Sequence, residues 1–320
     1  MPGFTLCAAI AAASMLLHRA PGMGQISPLI LAIIAGMVLR NTLGTPAIAR
    51  PGIAFSLRRV LRLGVMLLGL QLTLTEVMEV GYGGLAIVLF TVVTTFAFTL
   101  WLGRLLGVDR KLTELLAAGT SICGASAVVA TNAVIDGADE DVAYAVASVT
   151  FFGALSMMSY PALAAAFGLG AHGFGVWSGA TIHEVAQVVA TSFQVGPQAG
   201  QTATVVKLSR VLLLVPTMVV LGLGAQRRHG RPASRRAPLP WFVLGFLALV
   251  VVNTFLPQQA VFHAAAAGLT SFLLVTSLAA MGLETDARRL FAKGLKPLAL
   301  GAAAWLFIAV TGLALVKLIG

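Results

Sequence analysis

Apolar and polar positions alternate along this chain on the scale of whole segments. Apolar runs of about 17–25 residues, each long enough to cross a hydrocarbon layer roughly 30 Å thick, recur between short stretches rich in Gly, Pro and charge. The runs predict eleven helices, near 3–18, 25–40, 57–74, 82–106, 112–135, 141–168, 174–194, 200–224, 240–256, 263–282 and 297–319. In lipid every backbone amide must be satisfied within its own segment, so the expectation is an all-α polytopic membrane protein with about 11 transmembrane helices.

An ungapped overlay of Leu61–Gly107 on Leu274–Gly320, at an offset of 213, aligns several Leu and Gly residues. Glu76 and Glu79 in the first copy correspond to Arg288, Arg289 and Lys293 in the second, as expected if the copies cross the membrane in opposite directions. Inverted repeats of this kind are a mark of secondary transporters. The organisation expected is therefore an N-terminal extra helix (1–24), a first repeat region (25–169) with a broken crossing helix near 119–127, and a second repeat region (170–320). A shorter likeness, GTSICGASAVVAT from Gly119 against GATIHEVAQVVAT from Gly179, matches at six of thirteen positions. Strict alternation of crossings makes these two helices parallel, whereas an inverted pair is antiparallel. Either one segment is re-entrant or the likeness reflects similar packing demands.

Composition agrees with the membrane reading, because 58% of the residues are hydrophobic and 10% charged. A soluble domain cannot hide that much apolar surface. The net charge of +10 raises the prospect of nucleic acid, yet no basic, aromatic-interleaved module is present. Seventeen of the 21 Lys and Arg residues fall in four loops on one side. These are Arg40–Arg62, Arg104–Lys111, Arg227–Arg236 and Arg288–Lys296. The opposite side receives Glu76, Glu79, Asp136, Asp139, Glu140 and Asp141. The positive-inside bias then sets the N-terminus in the cytoplasm and the C-terminus in the periplasm. Phe4–Leu17 has the length of a signal-peptide core but lacks a basic leader, which favours a retained first helix. Cys7 and Cys123 fall inside apolar segments and form no secreted disulfide framework.

Candidate chemistry lies in three blocks. Gly119 to Ala127 is small, polar and glycine-punctuated within an otherwise apolar helix. One reading is a midplane break, where freed backbone N–H groups with Ser121, Cys123, Gly124 and Ser126 hold an anion. The other is close helix packing through small residues. His183 and Glu184, read as helical, project about 100° apart, with Gln187 on the face of Glu184. They are either proton carriers or a core imidazole and a structural ion-pair partner. Lys207 and Arg210 share a helix face, as a binding pair for sulfonate, sulfate, phosphate or carboxylate oxygens, as a structural pair, or as snorkelling residues. Trp101, Trp177, Trp241 and Trp305 are expected as interfacial anchors. Gln187 stands where a zinc protease helix carries its second His, and no GxxxxGK(S/T) loop exists. The expectation is a protein that is not an enzyme and has neither a metal nor another cofactor.

RPGIAFSLRRVLRLGVMLLGLQLTL, LLAAGTSICGASAVVATNAVI, GVWSGATIHEVAQVVA, VVKLSRVLLLVP and LAAMGLETDARRLFAKGLKPL, in this order, resemble the bacterial sulfate exporter family from about Ile26 onward. The resemblance implies an inner-membrane transporter distantly related to bile-acid symporters and cation–proton antiporters, with unwound crossing helices. Some relatives are associated with organosulfonates such as taurine. The expectation is a secondary transporter exporting a small sulfate-like or sulfonate-like anion by alternating access. Ser121, Cys123, Gly124, Ser126, Lys207 and Arg210 would bind the anion, and His183 and Glu184 would couple protons. Membrane lipid is a further partner, and a homodimer stays open. The alternatives are a cation–proton antiporter using Glu184 and a non-transporting receptor.

Overall fold

The structure is a computed structural model describing the chain except residues 21–26, 230–240, 257–259, 287, 289–292 and 320, with side chains undescribed also at 222–229 and 260–261. Arg231, Arg235, Arg236, Arg289 and the expected boundary at 24–25 lie outside the described residues, as do the side chains of Arg227 and Arg228. The described secondary structure is entirely helical.

Helices α1 (Pro2–His18), α2 (Pro28–Thr42), α3 (Arg50–Phe55), α4 (Leu61–Leu68) and α5 (Leu74–Met78) are followed by the long α6 (Gly81–Leu106). Next come α7 (Arg110–Ala118), α8 (Ala125–Ile135), α9 (Asp139–Ala166), α10 (Ala171–Thr181), α11 (Val185–Val195), α12 (Pro197–Leu212) and α13 (Leu214–His229). The chain ends with α14 (Trp241–Phe255), α15 (Ala260–Glu284) and α16 (Leu295–Ile319). Five stretches are long and apolar enough to cross a membrane: Gly81–Leu106, Asp139–Ala166, Pro197–Leu221, Phe262–Glu284 and Leu295–Ile319. Five shorter apolar helices accompany them, so this is a multi-helix membrane protein.

Local signals start and stop these helices. Ser27 accepts from Leu29 N and caps α2, and Asp109 accepts from Lys111 N and Leu112 N at the head of α7. Gly107, at φ 67°, ends α6 in the left-handed conformation that glycine adopts without strain. The long helices are turned inside out relative to soluble ones. On α6, Thr91, Thr95 and Thr99 face the protein while Leu89, Phe90, Val93 and Trp101 face outward. Thr91 and Thr99 donate to the carbonyls of Ile87 and Thr95, so their hydroxyls need no other partner. Helices α2 and α15 run parallel in close contact through Gly36 and Gly282. A methyl on either glycine would strike the other helix's backbone. Two tryptophans depart from the anchor expectation. Trp177 is buried, stacks on Tyr160 and donates to the Ala309 carbonyl, while Trp305 stacks on Phe152 and donates to Ser156.

Two of the expected crossings fold back on themselves. Lys111, at the start of α7, donates through Nζ to the Asp136 carbonyl just past the end of α8, 2.7 Å away. Deeper in, Gly119 abuts Val128. In a continuous helix residues 111 and 136 would stand nearly 40 Å apart at about 1.5 Å per residue. Likewise the Ser178 and Ser192 hydroxyls lie 2.8 Å apart, across α10 and α11. Each pair is thus a helical hairpin returning to the side it came from, and the segments 112–135 and 174–194 are not crossings. Helix α10 runs beside α12 in the same sense, with Gly175 against Thr202 and Gly179 against Val206. Helix α8 runs with the continuation of α12 into α13, where Thr131 meets Met218. The approach arms α7 and α10 therefore point in opposite directions, and the hairpins enter from opposite sides.

The doubled-back hairpins also correct the placement of the acidic run. Lys293 pairs with Asp141 at 2.9 Å and Glu140 at 3.4 Å, so Asp136–Asp141 shares a side with the basic loops rather than opposing them. By accepting its hydrogen bond, the Asp141 carboxylate holds the Lys293 ammonium above its ordinary pKa. Lys296 likewise lies beside Gly107, so α6 and α16 run antiparallel with the Arg104 and Lys296 ends together.

Candidate functional site

The hairpin tips meet in the middle of the protein, and both are breaks in helix geometry. In the first, α7 loosens into one π-helical turn (Gly119–Cys123) before Gly124, at φ 71°, turns the chain into α8. In the second, α10 stops at Thr181, and Ile182 and Glu184 are extended, with α11 starting at Val185. At an offset of 60, Gly124 and Glu184 are equivalent positions of the two similar segments. The structure brings them into contact, since a methyl on Gly124 would collide with the Glu184 carboxylate. His183 and Glu184 thus sit in a break and not on the continuous helix read from the sequence.

Each tip exposes two helix ends of opposite polarity. The approach arms α7 and α10 finish with carbonyls that lack intrahelical partners, and the return arms α8 and α11 begin with unpaired amides. Lys207 and Arg210, both fully buried on α12, serve the carbonyl ends. Arg210 donates Nε to Ser121 O (3.2 Å), Nη2 to Thr120 O (3.0 Å) and Ser121 O (2.7 Å), and Nη1 to Ile182 O (3.1 Å) and Gly179 O (3.4 Å). Lys207 Nζ donates to Ile182 O at 2.7 Å and Ile122 O at 3.0 Å. The two cations therefore tie one tip to the other. Neither snorkels, and the five Arg210 bonds match the five N–H donors of a guanidinium, whereas Lys207 retains one.

The amide ends are served differently. Glu184 Oε1 accepts from Ala125 N at 2.5 Å, so a carboxylate from the second tip sits on the first turn of α8. Gln187 Oε1 accepts from Glu184 N at 3.3 Å, and its Nε2 donates to the Thr150 carbonyl on α9 at 3.0 Å. Both nitrogens of the fully buried His183 lack a hydrogen-bond partner. Ser126, one residue past the amide that Glu184 occupies, is exposed. Ser121 does not offer its hydroxyl, which turns back to the Ala117 carbonyl, and Cys123 is a buried free thiol. Of the expected set, Gly124, His183, Glu184, Lys207 and Arg210 converge at the tips, Ser121 contributes through its carbonyl, and Ser126 stands at the accessible edge. Sequence reasoning missed the Thr120, Gly179 and Ile182 carbonyls, which carry no side-chain signal. Gln187 was visible only as a neighbour of Glu184 on a helix face. Among the described residues no cluster of His, Cys, Asp and Glu has the make-up of a metal site.

The family model described as conserved hypothetical protein 698 matches residues 2–301. A UPF0324 membrane protein of Pseudomonas putida is 41% identical over 299 residues, covering 91% of this chain and 84% of the relative. The UPF0324 membrane protein TauZ of Paracoccus denitrificans is 38% identical over 319 residues, covering 97% and 92%. The UPF0324 inner membrane protein YeiH of Escherichia coli is 35% identical over 322 residues, covering 96% and 91%. No solved structure matches this one. With the family model and these relatives spanning nearly its whole length, the chain belongs to the UPF0324 family of bacterial membrane proteins.

Proposed function

We propose that this protein is a secondary transporter of the inner membrane that exports a small sulfate-like or sulfonate-like anion by proton-coupled alternating access, with the hairpin tips as its site. The observation that carries this reading is the Glu184 carboxylate on the α8 N-terminus, an anionic group already seated where buried amides and the helix dipole attract one. Lys207 and Arg210 bring two positive charges to the tips and Glu184 one negative, and the four helix ends cancel in pairs. When Glu184 takes up a proton, two positive charges remain, which matches a divalent oxyanion. When it is ionised, one remains, so a departing anion is replaced by the protein's own carboxylate. The anion binds at the Ala125 and Ser126 amides, the Ser126 hydroxyl and the third Lys207 N–H, while Arg210 braces the tips.

Hairpins entering from opposite sides, with similar segments 60 residues apart, support an inverted-repeat architecture in which the two sides open alternately. The antiparallel α6–α16 packing supports the longer repeat at an offset of 213 in the same way. The name TauZ supports a sulfonate among the substrates.

Efflux of labelled sulfate and taurine from proteoliposomes under an imposed pH gradient tests the proposal. Wild type is expected to lose label faster when the gradient is present, and Glu184→Gln to retain anion exchange while losing the gradient dependence. Unchanged pH dependence in Glu184→Gln would remove Glu184 as the coupling group, and no anion flux in either would remove anion transport. A second reading, cation–proton antiport, is favoured by the burial of a carboxylate at the tips, where Glu184 is 5% exposed. It requires Na⁺- or K⁺-dependent proton flux that is indifferent to the anion.

A further inference from the structure

On the side of the basic loops, the ends of α2 and α15 enclose a cavity of about 370 Å³ lined by Arg40, Asn41, Thr45, Arg50, Asp286 and Arg288, among others. Arg40 is paired, through Nη2 to Asp286 at 2.9 Å, which orients its guanidinium across the floor. Arg50 and Arg288 are exposed and have no acidic partner among the described residues. Three arginines against one aspartate leave two positive charges around a space large enough for a phosphate group. The two converging helix C-termini offset about one charge of that excess, so the cavity stays net positive. At the same wall Asn41 donates to the Met37 and Thr285 carbonyls and so ties the two helix ends together, while the Thr45 hydroxyl accepts from Arg40 and helps to hold that guanidinium in place.

The rim is not that of a pocket for a soluble ion. Leu43, which also lines the cavity, is 81% exposed, and Ile48 on the same loop is 74% exposed. Apolar side chains projecting beside unpaired arginines suit the boundary between headgroups and acyl chains, where basic side chains meet lipid phosphate. We propose that this cavity binds the phosphodiester headgroup of an anionic phospholipid, with Arg50 and Arg288 as its principal contacts and Arg40, held by Asp286, positioned behind them. The bound lipid bridges the loop after α2 and the segment after α15, and so fastens together the ends of two helices that pack through Gly36 and Gly282. The inference is independent of what the hairpin tips transport.

The test is native mass spectrometry of the full chain released from phosphatidylglycerol-containing and phosphatidylcholine-only nanodiscs. Wild type is expected to keep phosphatidylglycerol and to shed phosphatidylcholine, and Arg50→Gln/Arg288→Gln to keep about 30-fold less phosphatidylglycerol, as two surface cations imply. Both side chains are exposed, so the variant keeps its fold. Arg104→Gln, an exposed arginine elsewhere on the same side, is expected to retain phosphatidylglycerol like wild type. Equal retention by the double variant, equal retention of the zwitterionic lipid, or an equal loss in Arg104→Gln would overturn the proposal. Displacement of the lipid by millimolar inorganic phosphate would reassign the cavity to free phosphate and overturn it as a lipid site.

Discussion

Replacing Arg210 with Ala is expected to damage the fold before it says anything about transport. The Thr120, Ser121 and Gly179 carbonyls take their bonds from Arg210, while Ile182 O would keep Lys207. Three buried carbonyls would lose their partner, at about 1–3 kcal/mol each. The sum is roughly 3–9 kcal/mol before any void is counted, against a total stability on the order of 5–15 kcal/mol for a typical domain. Lys207→Met orphans only the Ile122 carbonyl, so roughly 1–3 kcal/mol is at stake. Thermal unfolding in detergent checks the order, with Arg210→Ala falling at least about 6 °C below wild type and Lys207→Met in between. Arg210→Lys, which restores the charge with fewer donors, is expected to recover part of the loss. An Arg210→Ala protein as stable as wild type, or more stable than Lys207→Met, would refute the account of Arg210 as the brace between the tips.

Other outcomes follow from the same geometry. Gly124→Ala is expected to unseat Glu184 from α8 and to strain the backbone at φ 71°, giving a destabilised protein whose flux no longer responds to a pH gradient; wild-type flux and stability would contradict it. Single cysteines probed with a membrane-impermeant maleimide should be labelled from one side at Ala138 and Lys293 and from the other at Gly170 and Gln198, because each hairpin returns to its own side. Strict alternation of eleven crossings instead exchanges the sides of Ala138 and Gly170. Lys293 has a raised pKa, so its small contribution is complete below the unfolded lysine value near 10.4 and is lost as pH rises past the folded value. The unfolding difference between wild type and Lys293→Met should be flat from pH 6 to 9 and be lost only as the pH rises through the raised folded value.

The helices were readable from hydropathy because a bilayer-length apolar run has few other uses: where the structure describes them the runs are largely helical, though five stretches are long and apolar enough to cross and two runs double back. The Gly119–Ala127 break was readable too, since Gly124 supplies a conformation that other residues resist. The break at Ile182–Glu184 was not. It contains no glycine or proline, and what holds it open is bonding from Lys207 and Arg210, more than 20 residues away. Hydropathy is also blind to direction, so a hairpin that enters and returns has the same profile as a crossing. The clue lay in charge and repetition. Strict alternation placed Asp136–Asp141 opposite Lys293 and made two similar segments parallel, and both difficulties vanish once 112–135 and 174–194 double back.

The tips treat their two polarities unequally, and the inequality argues for an anion as the moving species. The carbonyl ends of α7 and α10 are closed by Lys207 and Arg210, which have no exposed surface and two and five bonds respectively. A cation arriving there would have to displace charges that are held from several directions at once. The amide end of α8 is closed by one hydrogen bond from Glu184, beside an exposed Ser126. The carboxylate also caps its own helix α11 by accepting from the Gln187 backbone, so leaving α8 breaks the Ala125 bond alone, and a proton removes the charge that holds it in place. A guest of the same sign as Glu184 therefore meets the one weakly closed end among four, and its entry and the protonation of Glu184 favour each other. In the proposed cycle, coupling between the two needs no other group, and the buried His183 imidazole beside it, with neither nitrogen hydrogen-bonded, is the group proposed to pass the proton.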